Sequence, residues 1–147
     1  MSAELASILL ADDDEDDRML TQEALAESRL ENPLHFVEDG QELLDYLFHK
    51  GKYVDTEKYP RPGLILLDLN MPRLDGKSAL QIIKTDPQLK SIPVVVLTTT
   101  NQDIEATKSY DLGANSFIVK PVNFEKLVEV IRVLGKYWFS IVKRVKE

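Results

Sequence analysis

Three acids, a hydroxyl and an amine stand at the ends of apolar runs. Asp12 and Asp13 follow Ser7-Ile8-Leu9-Leu10-Ala11, and Asp68 follows Leu64-Ile65-Leu66-Leu67. Thr98 follows Val94-Val95-Val96-Leu97, and Lys120 follows Phe117-Ile118-Val119. A carboxylate that closes a buried strand is desolvated on one side, which is costly unless a cation or hydrogen bonds compensate it. Neighbouring carboxylates repel each other and favour a hard divalent cation. Mg²⁺ suits such a set, because it takes one or two carboxylates, keeps several waters and accepts phosphate oxygens. Mn²⁺, which also prefers carboxylate and water ligands, is the alternative. With the metal on Asp12 and Asp13, Asp68 is placed to attack a phosphoryl donor, a covalent strategy open to carboxylates. The transferring group needs its charge met on every side. The metal would take one oxygen, Lys120 a second, and the Thr98 hydroxyl with backbone N–H groups a third.

That chemistry requires one shared edge, and the rest of the pattern supplies it. Apolar runs at 7–11, 34–37, 64–67, 92–97 and 116–119 read as short buried strands. Helical spacing predicts a helix over 15–28, with Leu20, Ala24 and Leu25 inward. A second is expected from Gly40, carrying Leu43, Leu44, Leu47 and Phe48 and opened by the capping-box pattern Asp39-Gly40-Gln41-Glu42. A third covers 77–85 with Ala79, Leu80, Ile82 and Ile83, stopped by Asp86-Pro87. Residues 101–112 can form a thinly apolar helix, and Asn123 caps a last, long one. The polar stretch 50–63 is longer than most connections in such folds and reads as a loop insertion. Strands alternating with helices are the signature of a doubly wound α/β fold with a parallel sheet. Parallel strands end at one edge, and open sheets bind ligands beyond those carboxyl ends. Asp12, Asp13, Asp68, Thr98 and Lys120 therefore converge.

Composition narrows the function. One chain of 147 residues, 44% of them hydrophobic, fits a single domain over 1–147 with a sizeable core. A net charge of −7 argues against a nucleic-acid or anionic-membrane surface. The absence of cysteine excludes disulfides and thiolate chemistry, and two histidines, His35 and His49, are too few for a histidine-rich zinc site. With no secretory signal pattern and no run of bilayer length, a cytoplasmic protein is expected.

Together these residues resemble the receiver domain of two-component response regulators, the CheY-like fold. The matching positions are Asp12-Asp13, Arg18, Asp68 in Leu67-Asp68-Leu69-Asn70-Met71-Pro72, Thr98, and Lys120-Pro121, and the likeness spans about residues 6–134. The resemblance implies a five-stranded parallel sheet of order 2-1-3-4-5, the order of CheY. It also implies phosphate transfer to Asp68 from a sensor histidine kinase. The backbone carbonyl of Asn70 would be a further Mg²⁺ ligand. Phe117 would be an aromatic switch that moves with Thr98 and remodels the face formed by the 101–112 helix, the fifth strand and the last helix. Lys120-Pro121 would be a cis peptide, a form tolerated essentially only before proline. Beyond self-phosphorylation and self-dephosphorylation, no enzyme activity is expected.

Rival readings are weaker. Asp12-x-Asp14-x-Asp16 with Glu23 mimics a calcium loop, but Asp17 stands where that loop needs glycine and a strand precedes it. An aspartyl-phosphate phosphohydrolase would want a second acid two residues past Asp68, where Asn70 stands. A phosphate-independent interaction module would not need the acids, Thr98 and Lys120 together.

The last helix is expected to run from about 124 to 146, with 135–147 as an extension. Leu127, Ile131, Leu134 and Trp138 form one apolar line; Val130, Val133, Tyr137 and Ile141 form a second. One line covers the sheet, and the other, with Trp138 at its border, would serve a homodimer or partner surface. The long 50–63 loop, the extended helix and the motif Asp39-Gly40-Gln41-Glu42-Leu43-Leu44-Asp45-Tyr46-Leu47 are similar to the small response regulators paired with cyanobacterial phytochromes. Ala11-Asp12 stands where that subgroup would be expected to show Val-Glu. The resemblance points to a phytochrome kinase as partner.

Overall fold

The computed structural model describes residues 7–27, 32–69, 71, 73, 74, 76–98, 116–119 and 124–134; for Thr98, Leu134 and 116–119 only the backbone is described. Five strands, β1 (Ile8–Ala11), β2 (Leu34–Val37), β3 (Leu64–Asp68), β4 (Val94–Thr98) and β5 (Ser116–Val119), form one parallel sheet of order β2-β1-β3-β4-β5. The expected doubly wound architecture and order are therefore present. Helices α1 (Glu15–Glu27), α2 (Gly40–Leu47), α3 (Gly76–Thr85) and α4 (Phe124–Leu134) accompany it. Expectations for the 101–112 helix and the 135–147 extension lie outside the described residues.

Strands β1 and β3, and β4 from Val94 to Leu97, are buried on both faces, and their alternation divides the core in two. Leu9, Ala11, Ile65, Leu67, Val94 and Val96 meet Leu43, Tyr46 and Leu47 of α2 and Ala79, Leu80 and Ile83 of α3. Ile8, Leu10, Leu64, Leu66, Val95 and Leu97 meet Ala24 and Leu25 of α1 and Val128 and Ile131 of α4. This period-two split is what lets a continuous apolar run serve two helix layers.

The helix faces differ in detail from the apolar spacing. On α1 the buried residues are Thr21, Ala24 and Leu25, whereas Leu20 is 40% exposed. Thr21 tolerates burial because its hydroxyl donates to the Asp17 carbonyl at 2.9 Å. Ile82 of α3 and Phe48, the C-cap of α2, are likewise outward. In their place Tyr46, 1% exposed, enters the core. On α4, Val128 and Ile131 are buried, Leu127 packs against them, and Val133 is 62% exposed as expected. Val130, expected on the exposed line, instead packs half-buried against the core. At about 100° per residue it stands about 130° from the middle of the Val128–Ile131 stripe, on the side of Leu127, while Val133 lies nearly opposite the stripe.

The start of α1 and both ends of α2 carry caps. Asp14 accepts from the N–H groups of Asp16 and Asp17 at 2.8 and 3.2 Å, and so caps α1. Asp39 accepts from Glu42 N–H at 2.7 Å, while the Glu42 carboxylate reaches back past the cap to Glu38 N–H at 2.6 Å. At the far end of α2, His49 sits at φ 56°, its N–H donating to Tyr46 O at 3.2 Å and Lys50 N–H to Asp45 O at 2.8 Å. That is a Schellman closure with histidine in the left-handed position usually held by glycine.

The 50–63 stretch is more ordered than its polarity suggests. Gly51–Tyr53 forms a short 3₁₀ turn, and Tyr53 is buried. Tyr46, Tyr53 and Tyr59 form a ring cluster with centroids 4.8–5.8 Å apart, and His35 of β2 packs against Tyr46 at 5.9 Å. Tyr46 Oη donates to Pro60 O at 3.0 Å and Tyr53 Oη to Glu42 Oε2 at 2.8 Å. Burial pushes the Tyr46 phenol up to about 12 and, with Glu42, raises Tyr53 further. The stretch is thus fastened to β2 and α2 through its tyrosines.

Candidate metal centre

Register, not sequence distance, brings the acids together. Strand β1 pairs with β3 as Ile8↔Leu64, Leu10↔Leu66 and Ala11↔Leu67. One further step sets Asp12 beside Asp68 on the same face of the sheet. One carboxylate oxygen from each of Asp12, Asp13 and Asp68 lies within 4.8 Å of the others. Asp12 and Asp68 are only 1% and 4% exposed, and Asp13 faces solvent.

Asp12 is held from three directions. Its N–H donates to Val37 O at 3.0 Å, and its Oδ1 accepts from Asp14 N–H at 3.0 Å. Its carbonyl accepts from Arg18 Nη1 at 2.9 Å, and the same guanidinium reaches Glu38 Oε1 at 3.4 Å. The acid run thus divides its labour: Asp12 and Asp13 face the cluster, Asp14 caps α1, and Glu15, Asp16 and Asp17 lie in its first turn, where the helix dipole favours them. This also removes the calcium-loop reading, since Asp14 is engaged as a cap and Asp16 is helical.

The donor set fits a hard cation. Two buried carboxylates and one exposed one present oxygen atoms only, the donor type that Mg²⁺ or Mn²⁺ prefers.

The other expected site residues are placed as follows. Thr98 ends β4 and pairs with Val119, so both strands finish at the edge where Asp68 finishes β3. Phe117 pairs with Val96 inside β5. Asn70, Lys120, the Lys120-Pro121 peptide, Tyr137, Trp138 and Ile141 lie outside the described residues. Residues that spacing did not single out hold the segment that follows Asp68. Asp39 and Gly40, read only as a helix start, meet Arg73 and Leu74 of the segment leaving Asp68.

This fold and this acid cluster define a class. Residues 8–132 match the family model of the response regulator receiver domain, and the chain belongs to that family. Among its relatives, response regulator Rcp1 of Synechocystis sp. is 39% identical over 135 residues, covering 92% of this chain and 90% of that protein. The crystal structure of the phosphorylated cyanobacterial phytochrome response regulator RcpA superposes with TM-score 0.83 at 41% identity, over 93% of this chain and 96% of that one. The Mn²⁺-bound form of Rcp1 superposes with TM-score 0.79 at 39% identity, over 91% and 94% of the two chains. The protein is a receiver-domain response regulator of two-component phosphorelay signalling, similar to phytochrome response regulators. Among the described residues, no helix is long and apolar enough to cross a membrane.

Proposed function

We propose that the protein accepts a phosphoryl group on Asp68 from the phosphohistidine of a sensor histidine kinase, a phytochrome in the first instance. The observation that carries this reading is the burial of Asp68 at the end of the central strand with Asp12 and Asp13 within 4.8 Å. A carboxylate oxygen of Asp68 attacks phosphorus, the phosphorus–nitrogen bond of the donor breaks, and the imidazole leaves with the electron pair. Asp12, Asp13 and Asp68, with the Asn70 carbonyl, would hold Mg²⁺, which neutralises charge on the phosphoryl oxygens when bound. Lys120 and the Thr98 hydroxyl serve the remaining oxygens, and hydrolysis of the acyl phosphate by water resets the site.

Phosphorylation adds a charge of about −2 at this edge. Thr98 and Phe117 transmit it to the face formed by β5 and α4. Val133, with Tyr137, Trp138 and Ile141, offers the surface on which a homodimer or downstream protein responds. Residues 1–147 act as one receiver unit in the cytoplasm, with 50–63 as an insertion and 135–147 as a helix extension. The chemistry is tested by Mg²⁺-dependent labelling with a small phosphodonor such as phosphoramidate. Wild type incorporates one phosphate and Asp68→Asn none; an Asp68→Asn chain that still takes the label refutes the assignment. Sedimentation with and without the phosphodonor tests the surface, and identical profiles would remove the dimer reading.

A further inference from the structure

The segment that leaves Asp68 returns upon its own start. Gly76 N–H donates to Leu69 O at 3.1 Å, and a Cβ on Gly76 would stand 2.5 Å from Asp68 O and 2.6 Å from Leu69 Cα. The first turn of α3 is therefore seated on the main chain of Asp68 itself. Two residues earlier the segment is gripped by α2. Gly40 N–H donates to Leu74 O at 3.0 Å, and Asp39 Oδ2 pairs with Arg73 Nη1 at 3.3 Å.

Gly40 has no conformational reason to be glycine. Its backbone is outside the left-handed region, and alanine is the better helix former at such a position. The reason is space: a Cβ there would lie 2.0 Å from Leu74 O and 2.7 Å from Leu74 C. Both are main-chain atoms, so no flexible side-chain end can swing aside. Arg73, by contrast, holds φ 66° without being glycine, a conformation that costs about 1–3 kcal/mol and persists only where its surroundings impose it. With a side chain 63% exposed, the Arg73 ion pair is too screened to impose it alone. The backbone contact at Gly40–Leu74 is the stronger constraint.

We propose that Gly40, assisted by the Asp39–Arg73 pair, is a positioning residue for the metal centre. By admitting Leu74 against α2 it sets where the segment closes on Gly76, and hence where the main chain of Asp68 sits relative to Asp12 and Asp13. This rests on the metal-binding reading above. Alanine at position 40 displaces Leu74 by about 1 Å, whereas metal ligands must stay within about 0.2 Å of their ideal distances.

The test is Mn²⁺ binding, read from the electron paramagnetic resonance signal of the free ion, with no phosphodonor present. Gly40→Ala should unfold cooperatively and bind Mn²⁺ about tenfold or more weakly, the range seen when groups that orient ligands are altered. Asp39→Asn, which keeps a cap but drops the ion pair, should weaken binding by less than about fivefold. Ile131→Val, destabilised on the opposite face, should bind as wild type does, which separates positioning from general loss of stability. A folded Gly40→Ala chain that binds Mn²⁺ within twofold of wild type overturns the proposal. Should Gly40→Ala not fold in buffer, the measurement is repeated in sucrose, an osmolyte that favours the folded state, and affinity within twofold of wild type there overturns the proposal. A wild-type chain that binds no Mn²⁺ instead removes the metal-binding reading itself.

Discussion

Replacing Asp12 by Asn removes one charge from the acid cluster while keeping an oxygen to accept the Asp14 N–H, now at 3.0 Å. Asp12 faces two carboxylates within 4.8 Å. For the buried neighbour Asp68, that separation at an effective dielectric of 20 corresponds to about 3.5 kcal/mol of repulsion. For the exposed neighbour Asp13, a water-like dielectric of 80 reduces it to about 0.9 kcal/mol. The other contacts of these acids offset part of this, so Asp12→Asn should stabilise the metal-free protein by about 1–3 kcal/mol. At roughly 2–4 °C per kcal/mol for a chain of this size, Tm in EDTA should rise by several degrees. Mg²⁺ reverses the balance. Wild type gains about 2.7 kcal/mol when the ion is at a hundred times its Kd, and the variant, short of one negative charge at the site, gains less. Thermal unfolding followed by circular dichroism, in EDTA and in saturating Mg²⁺, should therefore show the gap between the two proteins closing or inverting. If Asp12→Asn melts below wild type in EDTA, or wild type ignores Mg²⁺, the repulsion account is wrong.

Three further outcomes follow from the described contacts. Tyr53→Phe removes a 2.8 Å hydrogen bond to an ionised carboxylate and should cost about 1.5 kcal/mol in urea unfolding, with faster proteolysis at 50–63. Acid should weaken the fold in two stages. Burial lowers the His35 pKa below its usual 6.5, so stability present above that value is lost as pH falls through the folded pKa; His35→Gln should flatten urea midpoints measured between pH 7 and 5. Burial pushes Glu42 up, but the Tyr53 hydroxyl, the Glu38 N–H and Lys52 outweigh it and hold it below 4.5, so its contribution is lost only below that pH. On α4, Ile131→Ala should cost about 2–4 kcal/mol because that side chain is 2% exposed, while Val133→Ser, 62% exposed, should stay within about 0.5 kcal/mol and act only on association.

Much of the scaffold was legible in the chain. Apolar runs ending in polar groups give away parallel strands, because a strand buried on both faces has nowhere to place a polar residue except its end. Since all such strands point the same way, Asp12, Asp68 and Thr98 had to finish at one edge, and they do. Helix faces were less legible. Leu20, Phe48 and Ile82 are apolar at plausible spacing yet exposed, whereas Thr21 and Tyr46 are polar-tipped yet buried. A hydroxyl that finds a carbonyl removes the penalty that hydropathy assigns it.

Residue type and order therefore determined the alternation of strands and helices, the common edge, and which acids could share a cation. Tertiary structure decided what the other four of the six consecutive acids do, Asp14 capping α1 and Glu15, Asp16 and Asp17 filling its first turn, because a cap and a first-turn acid look alike until the helix start is known. It also decided that the polar 50–63 stretch docks through a tyrosine cluster, and that the space a Cβ on Gly40 would need is taken by Leu74. Contacts of that kind join residues far apart along the chain, and only packing brings them within a few ångströms of each other.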